Sequence, residues 1–316
     1  MNYHLYYHND FDGTASGAII LNFLYSRGDS IASFNPIDYT PKLIASWVGY
    51  KFKKPFILVD FRYHPKADWW FDHHEVSFPR LVKTEWKKHF RNDQTHCWDR
   101  KRKSCCGLIL AHLKKHFGFK LPKHIAELAK WADIIDAAGY KSAREAISYS
   151  KPAFQLMAIV TDENNSKNTH DLIKKLAEKS MAKIVKEPRI KTRVSDFILK
   201  LKKLIKDLKT ISKPYGSTIF FDVSDISPDV SHYMSYFLYP SVKYSVILKR
   251  GKGNDYYHLG VGKNPWIGQS EKTNIGELMS KYKGGGHKNV GATQSNSKKE
   301  IMKITGEIIE YLNKNG

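Results

Sequence analysis

Three short apolar runs in the first quarter of the chain each end in side chains able to hold a cation. Asn2 to Tyr7 leads into His8-Asn9-Asp10-Phe11-Asp12-Gly13, Pro55 to Val59 into Asp60, and Trp69 to Phe71 into Asp72-His73-His74. Short apolar runs of this kind read as strands buried on both faces, and their alternation with helical segments predicts a mostly parallel, covered sheet. In such sheets ligands lie beyond the carboxyl ends of the strands, so the three polar clusters are expected to converge.

The rest of the chain fits an α/β architecture. Ala18, Ile19, Phe23 and Leu24 form the apolar face of a helix that stops at Arg27-Gly28-Asp29. Helical spacing recurs in Cys105 to Phe117 and in Ile125 to Ala138. A Lys-rich helical stretch covers about Thr169 to Thr210, with Pro188 expected to separate two helices and Ile198, Leu201, Leu204, Ile205 and Leu208 as its apolar stripe. Strand-like runs follow at Ser217 to Val223, Tyr244 to Lys249 and Tyr256 to Val261, then a helix at Ile275 to Tyr282 and Gly284-Gly285-Gly286-His287. The expected organisation is an α/β domain over 1–165, a Lys-rich helical linker over 166–214 and a smaller α/β domain over 215–316.

Composition removes several classes. With 316 residues, 41% apolar and 13% aromatic, the chain is large enough for two cores and too apolar for a disordered basic tail. The start lacks a basic region followed by an apolar stretch, and the longest apolar patch, Ala18 to Leu24, is far short of a membrane span. Cys97, Cys105 and Cys106 are odd in number and clustered, which predicts neither a disulfide framework nor a zinc finger and suits a reducing cytoplasm. The net charge of +21 predicts attraction to polyanions.

Chemistry enters through the polar clusters. His8, Asp10, Asp12, Asp60, Asp72, His73, His74 and an acid at 133 or 136 make a mixed imidazole and carboxylate set without thiolates. Such a set selects hard or borderline divalent cations such as Mn, Mg, Co or Fe over structural zinc. So many carboxylates at one sheet edge repel one another unless cations neutralise them. Two cations sharing a carboxylate would activate water for in-line attack on phosphorus.

The motifs His8-Asn9-Asp10-Phe11-Asp12-Gly13, Val59-Asp60, Asp72-His73-His74 and Gly284-Gly285-Gly286-His287 resemble, in that order, those of the DHH phosphoesterases that carry the DHH-associated C-terminal domain. That family includes nano-RNases, single-strand exonucleases and cyclic dinucleotide phosphodiesterases. The resemblance spans nearly the whole chain. It implies two divalent metal ions, Mn first with Mg or Co as alternatives, with His8 and Asp10 on one, Asp12 and His73 on the other, and Asp60 bridging. It also implies that His74 lies nearer the substrate phosphate, that Asp72 orients its neighbours, and that Asp136, or Asp133, supplies the fourth metal motif. Gly284, Gly285, Gly286 and His287 would approach a phosphate, with Lys263 and Asn264 where the family often has an arginine-containing stretch. Ser104 is expected to cap the helix that follows it.

The implied function is hydrolysis of short single-stranded RNA or DNA to mononucleotides. Cyclic dinucleotide hydrolysis, exonuclease action on longer strands and non-catalytic nucleic-acid binding are the alternatives. Inorganic pyrophosphatase, which shares the DHH motif, is disfavoured by Gly284 to His287. The segment from Leu172 to Lys209 carries 11 Lys and 2 Arg against 4 acids, either a solvated face or a track for a longer strand. No membrane partner is expected, and an oligomer is compatible with the sequence.

Overall fold

The computed structural model describes residues 1–79, 85–161, 166–226, 230–251, 255–267 and 273–315. It divides into two compact units, Met1–Tyr140 with Tyr149–Phe197, and Lys141–Ser148 with Ile198–Gly316. The segment expected as a linker is therefore shared: residues 166–197 pack with the first unit and 198–214 with the second. The expected boundary at residue 165 falls outside the described residues.

In chain order the first unit contains β1 (Asn2–His8), α1 (Phe11–Ser26), β2 (Ser30–Ile37), α2 (Pro41–Ser46), β3 (Phe56–Val59), β4 (Trp69–Asp72), α3 (Trp86–His89), β5 (His96–Trp98), α4 (Cys105–Phe117) and α5 (Lys123–Asp136). After α6 (Ala143–Ala146), which belongs to the second unit, come α7 (Pro152–Thr161), α8 (Ser166–Glu178), α9 (Met181–Ile184) and α10 (Pro188–Ile211). Helix α10 starts at Pro188, where the missing N–H costs nothing.

The sheet of the first unit has the order β2-β1-β3-β4-β5 and all its pairings are parallel. Strands β3 and β4 are buried along their whole length. Helices α1, α4 and α5 pack together, with α8 against α1. On the sheet face shown by Tyr6, Phe56 and Leu58 lies an aromatic layer that includes Trp47, Phe61, Trp70 and Phe78. Two edge strands, β2 and β5, carry no apolar run: β2 includes Asn35 and Pro36, which an edge tolerates, and β5 has three residues.

The order reverses between β1 and β3, so the crevice outside their carboxyl ends is the switch point at which doubly wound sheets bind ligands. The turn after β1 is built for this place. Asp10 caps α1 by accepting from the Gly13 N–H at 2.8 Å, and a Cβ on Gly13 would stand 2.1 Å from the His8 carbonyl oxygen. Only glycine lets α1 start so close to the strand it follows.

The second unit contains β6 (Lys213–Tyr215), β7 (Thr218–Asp222), α11 (His232–Leu238), β8 (Tyr244–Arg250), β9 (Tyr257–Lys263), α12 (Ile275–Ser280), β10 (Gly285–Gly286), β11 (Val290–Ser295) and α13 (Lys298–Asn315). Its mixed sheet runs β10-β11-β9-β8-β7-β6, with β7 and β8 parallel and the other pairs antiparallel. Val246, Leu248, Leu259 and Val261 of the sheet pack with Ile275 and Met279 of α12 and Ile301, Ile308 and Leu312 of α13. Among the described residues no helix is long and apolar enough to cross a membrane.

Replacing Gly13 by Ala forces its methyl into the His8 carbonyl. The expected cost is about 2–3 kcal/mol, read as a lower midpoint in urea unfolding of the purified protein; an unchanged midpoint would contradict the packing described.

Candidate metal centre

The ends of β1, β3 and β4 bring His8, Asp60 and the Asp72-His73-His74 run together, with Asp10 and Asp12 from the start of α1 and Asp136 from the end of α5. His8 Nδ1 lies 2.9 Å from Asp10 Oδ2 and 3.6 Å from Asp60 Oδ2. His73 Nε2 lies 3.2 Å from Asp136 Oδ2 and 3.7 Å from both Asp12 Oδ2 and Asp60 Oδ1. The donor atoms gather as His8, Asp10 and Asp60, as Asp12, His73 and Asp136, and as Asp60, His73 and His74. Asp60 thus faces the first set with one oxygen and the second with the other.

Asp60 is the most constrained member. It is fully buried, its φ is +58°, and its N–H donates to the Phe71 carbonyl at 2.9 Å. A left-handed backbone is uncommon for a residue other than glycine, and it turns this carboxylate back over the strand end. Among the described residues neither of its oxygens has a hydrogen-bond donor. Burial, then the neighbouring carboxylates of Asp12, Asp10, Asp136 and Asp72, push its acid well above the usual range.

The surrounding groups are held in place by hydrogen bonds to nearby backbone and side chains. Asp12 accepts from the N–H groups of Cys105 and Cys106 at 2.7 and 2.9 Å, which seats it on the first turn of α4. Burial and then Asp136 push its carboxyl up to about 7, against the His73 ring and the Cys106 N–H. His73 Nδ1 contacts the Arg102 carbonyl at 3.2 Å. A carbonyl can only accept, so Nδ1 carries a proton and the neutral ring presents its lone pair at Nε2. Burial lowers the His73 pKa, but Asp136 and Asp12 outweigh it and raise it to about 9. For Asp10 burial favours the neutral acid; the His8 ring and the Gly13 N–H overcome it and hold the carboxyl below the ordinary range.

Asp72 is buried and one of its oxygens accepts from the N–H of His73 at 2.9 Å and from the Nδ1 of His74 at 2.8 Å. His74 is thereby oriented with Nε2 as its remaining ring nitrogen. Trp98 adds a tie by donating from Nε1 to the His74 carbonyl at 2.9 Å. The two acids of α5 have separate positions. Asp136 stands beside His73, while Asp133 accepts from the Ser104 hydroxyl at 2.5 Å, and Ser104 also caps α4 by accepting from the Gly107 N–H at 2.9 Å. The buried thiols of Cys105 and Cys106 are pushed up by burial and then by nearby carboxylates, so neither serves as a thiolate.

These residues fit divalent cations. Oxygen and imidazole ligands bind at roughly 2.0–2.2 Å, which puts neighbouring ligand atoms about 3 Å or slightly more apart. The His73 and His8 distances of 2.9 to 3.7 Å fall in or close to that range. The Asp60 oxygens, without a donor among the described residues and inside a group of five aspartates, would be costly to bury without positive charge between them.

One aromatic residue at the cluster carries no motif in the sequence. Tyr39, in the loop after β2, has its ring 5.1 Å from His8, 6.0 Å from His74 and 4.2 Å from Phe61, and its buried hydroxyl lacks a partner among the described residues. The Arg62 guanidinium lies 5.9 Å from the Tyr39 ring centre.

The glycine motif lies in the second unit. Gly285 and Gly286 form β10, the Gly284 N–H donates to the Met279 carbonyl at 3.0 Å, and the His287 N–H to the Val290 carbonyl at 2.7 Å. A Cβ on Gly284 would stand 2.2 Å from the Ala292 oxygen, and one on Gly286 2.3 Å from that of Val290. The backbone donors of Gly284 and His287 are thus committed inside the unit, and close strand packing already requires two of the three glycines. The His287 side chain is exposed. Lys263 is buried at the end of β9, and the Asn264 amide donates to the carbonyls of Pro240 and Val242.

Two outcomes are expected. Below about pH 7 Asp12 is neutral, and below about pH 9 His73 is charged, so an incoming cation must displace both protons. Manganese affinity measured by calorimetry is therefore expected to rise from about pH 6 to 9 with release of protons; a flat profile would contradict this. Asp60→Asn removes the cost of burying a carboxylate among other acids, or of the proton it must take up on folding, and keeps a side chain that accepts left-handed backbone. It is expected to raise the melting temperature of the EDTA-treated protein by a few degrees while abolishing the further rise on adding manganese.

No protein-family model matches the chain, nor does any curated protein sequence. Solved structures do. The pGpG-specific phosphodiesterase PggH from Vibrio cholerae matches with a TM-score of 0.72 and 21% identity over 99% of this chain and 100% of its own. RecJ from Thermus thermophilus in complex with Mn2+ matches with a TM-score of 0.61 and 13% identity over 98% of this chain and 52% of its own. An exopolyphosphatase-related protein from Bacteroides fragilis gives a TM-score of 0.56 and 14% identity over 99% and 92%. The chain shares the fold of these proteins.

Proposed function

We propose that the chain is a metal-dependent phosphodiesterase of the DHH type that cleaves short single-stranded oligonucleotides to mononucleotides. The observation that carries the reading is the Asp60 carboxylate, buried, without a donor among the described residues, and facing two groups of imidazole and carboxylate atoms. His8, Asp10 and Asp60 would hold one divalent cation, manganese first, and Asp12, His73 and Asp136 a second, with Asp60 common to both. Such ions supply charge neutralisation at phosphorus and water activated at neutral pH. His74, braced by Asp72, is assigned to the phosphate, where its Nε2–H would donate to a non-bridging oxygen. The structural match to PggH, a phosphodiesterase specific for a dinucleotide, and to RecJ bound to Mn2+ supports this reading.

The glycine motif with His287 and Lys263 is assigned to the substrate in this reading, with Asn264, whose amide bonds the Pro240 and Val242 carbonyls, bracing the chain beside Lys263. Gly285, whose Cβ direction is open, and the exposed His287 are its most accessible members. The net charge of +21 bears on substrate length, because phosphate contacts make affinity fall steeply with salt.

The test is a product time course with manganese on a labelled ladder from dinucleotides to about thirty nucleotides, with cyclic dinucleotides alongside. Dinucleotides are expected to disappear fastest, and Asp60→Asn or His73→Ala to lower kcat/KM about a thousandfold. Full activity in either variant would refute the assignment, and faster turnover of cyclic substrates or long strands would redirect it.

A further inference from the structure

The second unit has a cavity of about 270 Å3 where α6 packs on α11. That size is near the lower end of small-molecule sites, roughly 300–1,000 Å3, and suits one ring system better than a whole dinucleotide. Its walls combine aromatic faces and cations. Tyr236 and Phe237 come from α11, Lys141 and Arg144 from the α6 segment, and Trp266 from the turn after β9. Among the described residues no carboxylate lines it.

The walls are tied together. The Asn264 amide donates to the Pro240 and Val242 carbonyls, and its oxygen accepts from the Trp266 N–H at 3.1 Å. Trp266 and Tyr236 meet edge to face with ring centres 6.3 Å apart. The Arg144 guanidinium lies 5.3 Å from the Phe237 ring centre. A ligand entering here meets flat apolar faces and the cationic donors of Lys141 and Arg144. That selects a flat aromatic ring whose edge is rich in acceptors. Guanine fits, since its O6 and N7 side by side match an arginine fork, while the corresponding edge of adenine offers one donor and one acceptor and that of cytosine a donor.

We propose that this cavity is a base pocket for guanine nucleotides, with Phe237 and Trp266 as stacking faces and Arg144 donating to the O6 and N7 edge. The proposal rests on the nucleotide reading above for its biological sense, but its test does not require turnover. Guanosine monophosphate is titrated by calorimetry into the protein in EDTA, with cytidine monophosphate and ribose 5-phosphate in parallel. Guanosine monophosphate is expected to bind saturably and at least tenfold more tightly than either control. Arg144→Ala, a change at an exposed side chain, is expected to weaken it about tenfold or more. Phe237→Leu, which keeps an apolar filler, should weaken it several-fold.

Ribose 5-phosphate binding as tightly would show a phosphate site and overturn the proposal. So would an unchanged affinity in Arg144→Ala, or no binding up to millimolar concentration. Asp60→Asn must bind guanosine monophosphate like the parent protein; loss there would locate the nucleotide at the His/Asp cluster instead. If nucleotide binding behaves as expected and no oligonucleotide is cleaved, the pocket stands and only the phosphodiesterase reading fails.

Discussion

Everything at the carboxyl edge of the first sheet depends on one electrostatic liability, a group of aspartates gathered where water is scarce. Asp60 is its centre, buried, in left-handed backbone and without a donor for either oxygen among the described residues. A protein selected for stability alone would not keep such a residue. The apolar sheet and its covering layers supply the surplus that lets the strand ends hold it, and the parallel topology brings acids from four distant segments to one crevice.

The supporting bonds leave the interior of that crevice open. Asp12 is bonded to the first turn of α4, His73 to the Arg102 carbonyl, His74 to Asp72, and Asp10 to the Gly13 N–H. In His73, His74 and Asp10 the bond takes one polar atom and leaves the other, whereas both Asp12 oxygens accept backbone N–H groups and keep only their remaining lone pairs for a cation. This is the arrangement in which donors need little reorganisation when positive charge arrives. It also couples helices to chemistry, because Asp12 lies on α1 and its partners open α4.

Much of this was legible from residue order. Apolar runs ending in His and Asp predicted the parallel sheet and the meeting of the clusters, because burial on both faces leaves an unmistakable pattern. The edge strands were not legible: β2 is half exposed and includes Pro36, and β5 is too short to show a period. Asp133 and Asp136 could not be separated by spacing, since three positions on a helix share a face; in the structure Asp136 stands beside His73 and Asp133 accepts from Ser104. Tyr39 sits in a loop without a motif, and its nearness to His8 is a tertiary fact. The glycine motif was read for its openness, whereas close approach of the Ala292 and Val290 carbonyls explains two of its glycines independently of any ligand.

The insertion of residues 141–148 has a consequence for how this chain can be taken apart. The polypeptide passes from the first unit to the second after Tyr140, returns after Ser148, and leaves again after Phe197. A single cut at any bond therefore cannot yield two complete units. A fragment ending at residue 197 would carry α6 without the α11 surface it packs on, and the complementary fragment would lack that segment. The two units are interlaced in sequence, so neither can be lost, exchanged or inherited whole by trimming the gene from one end.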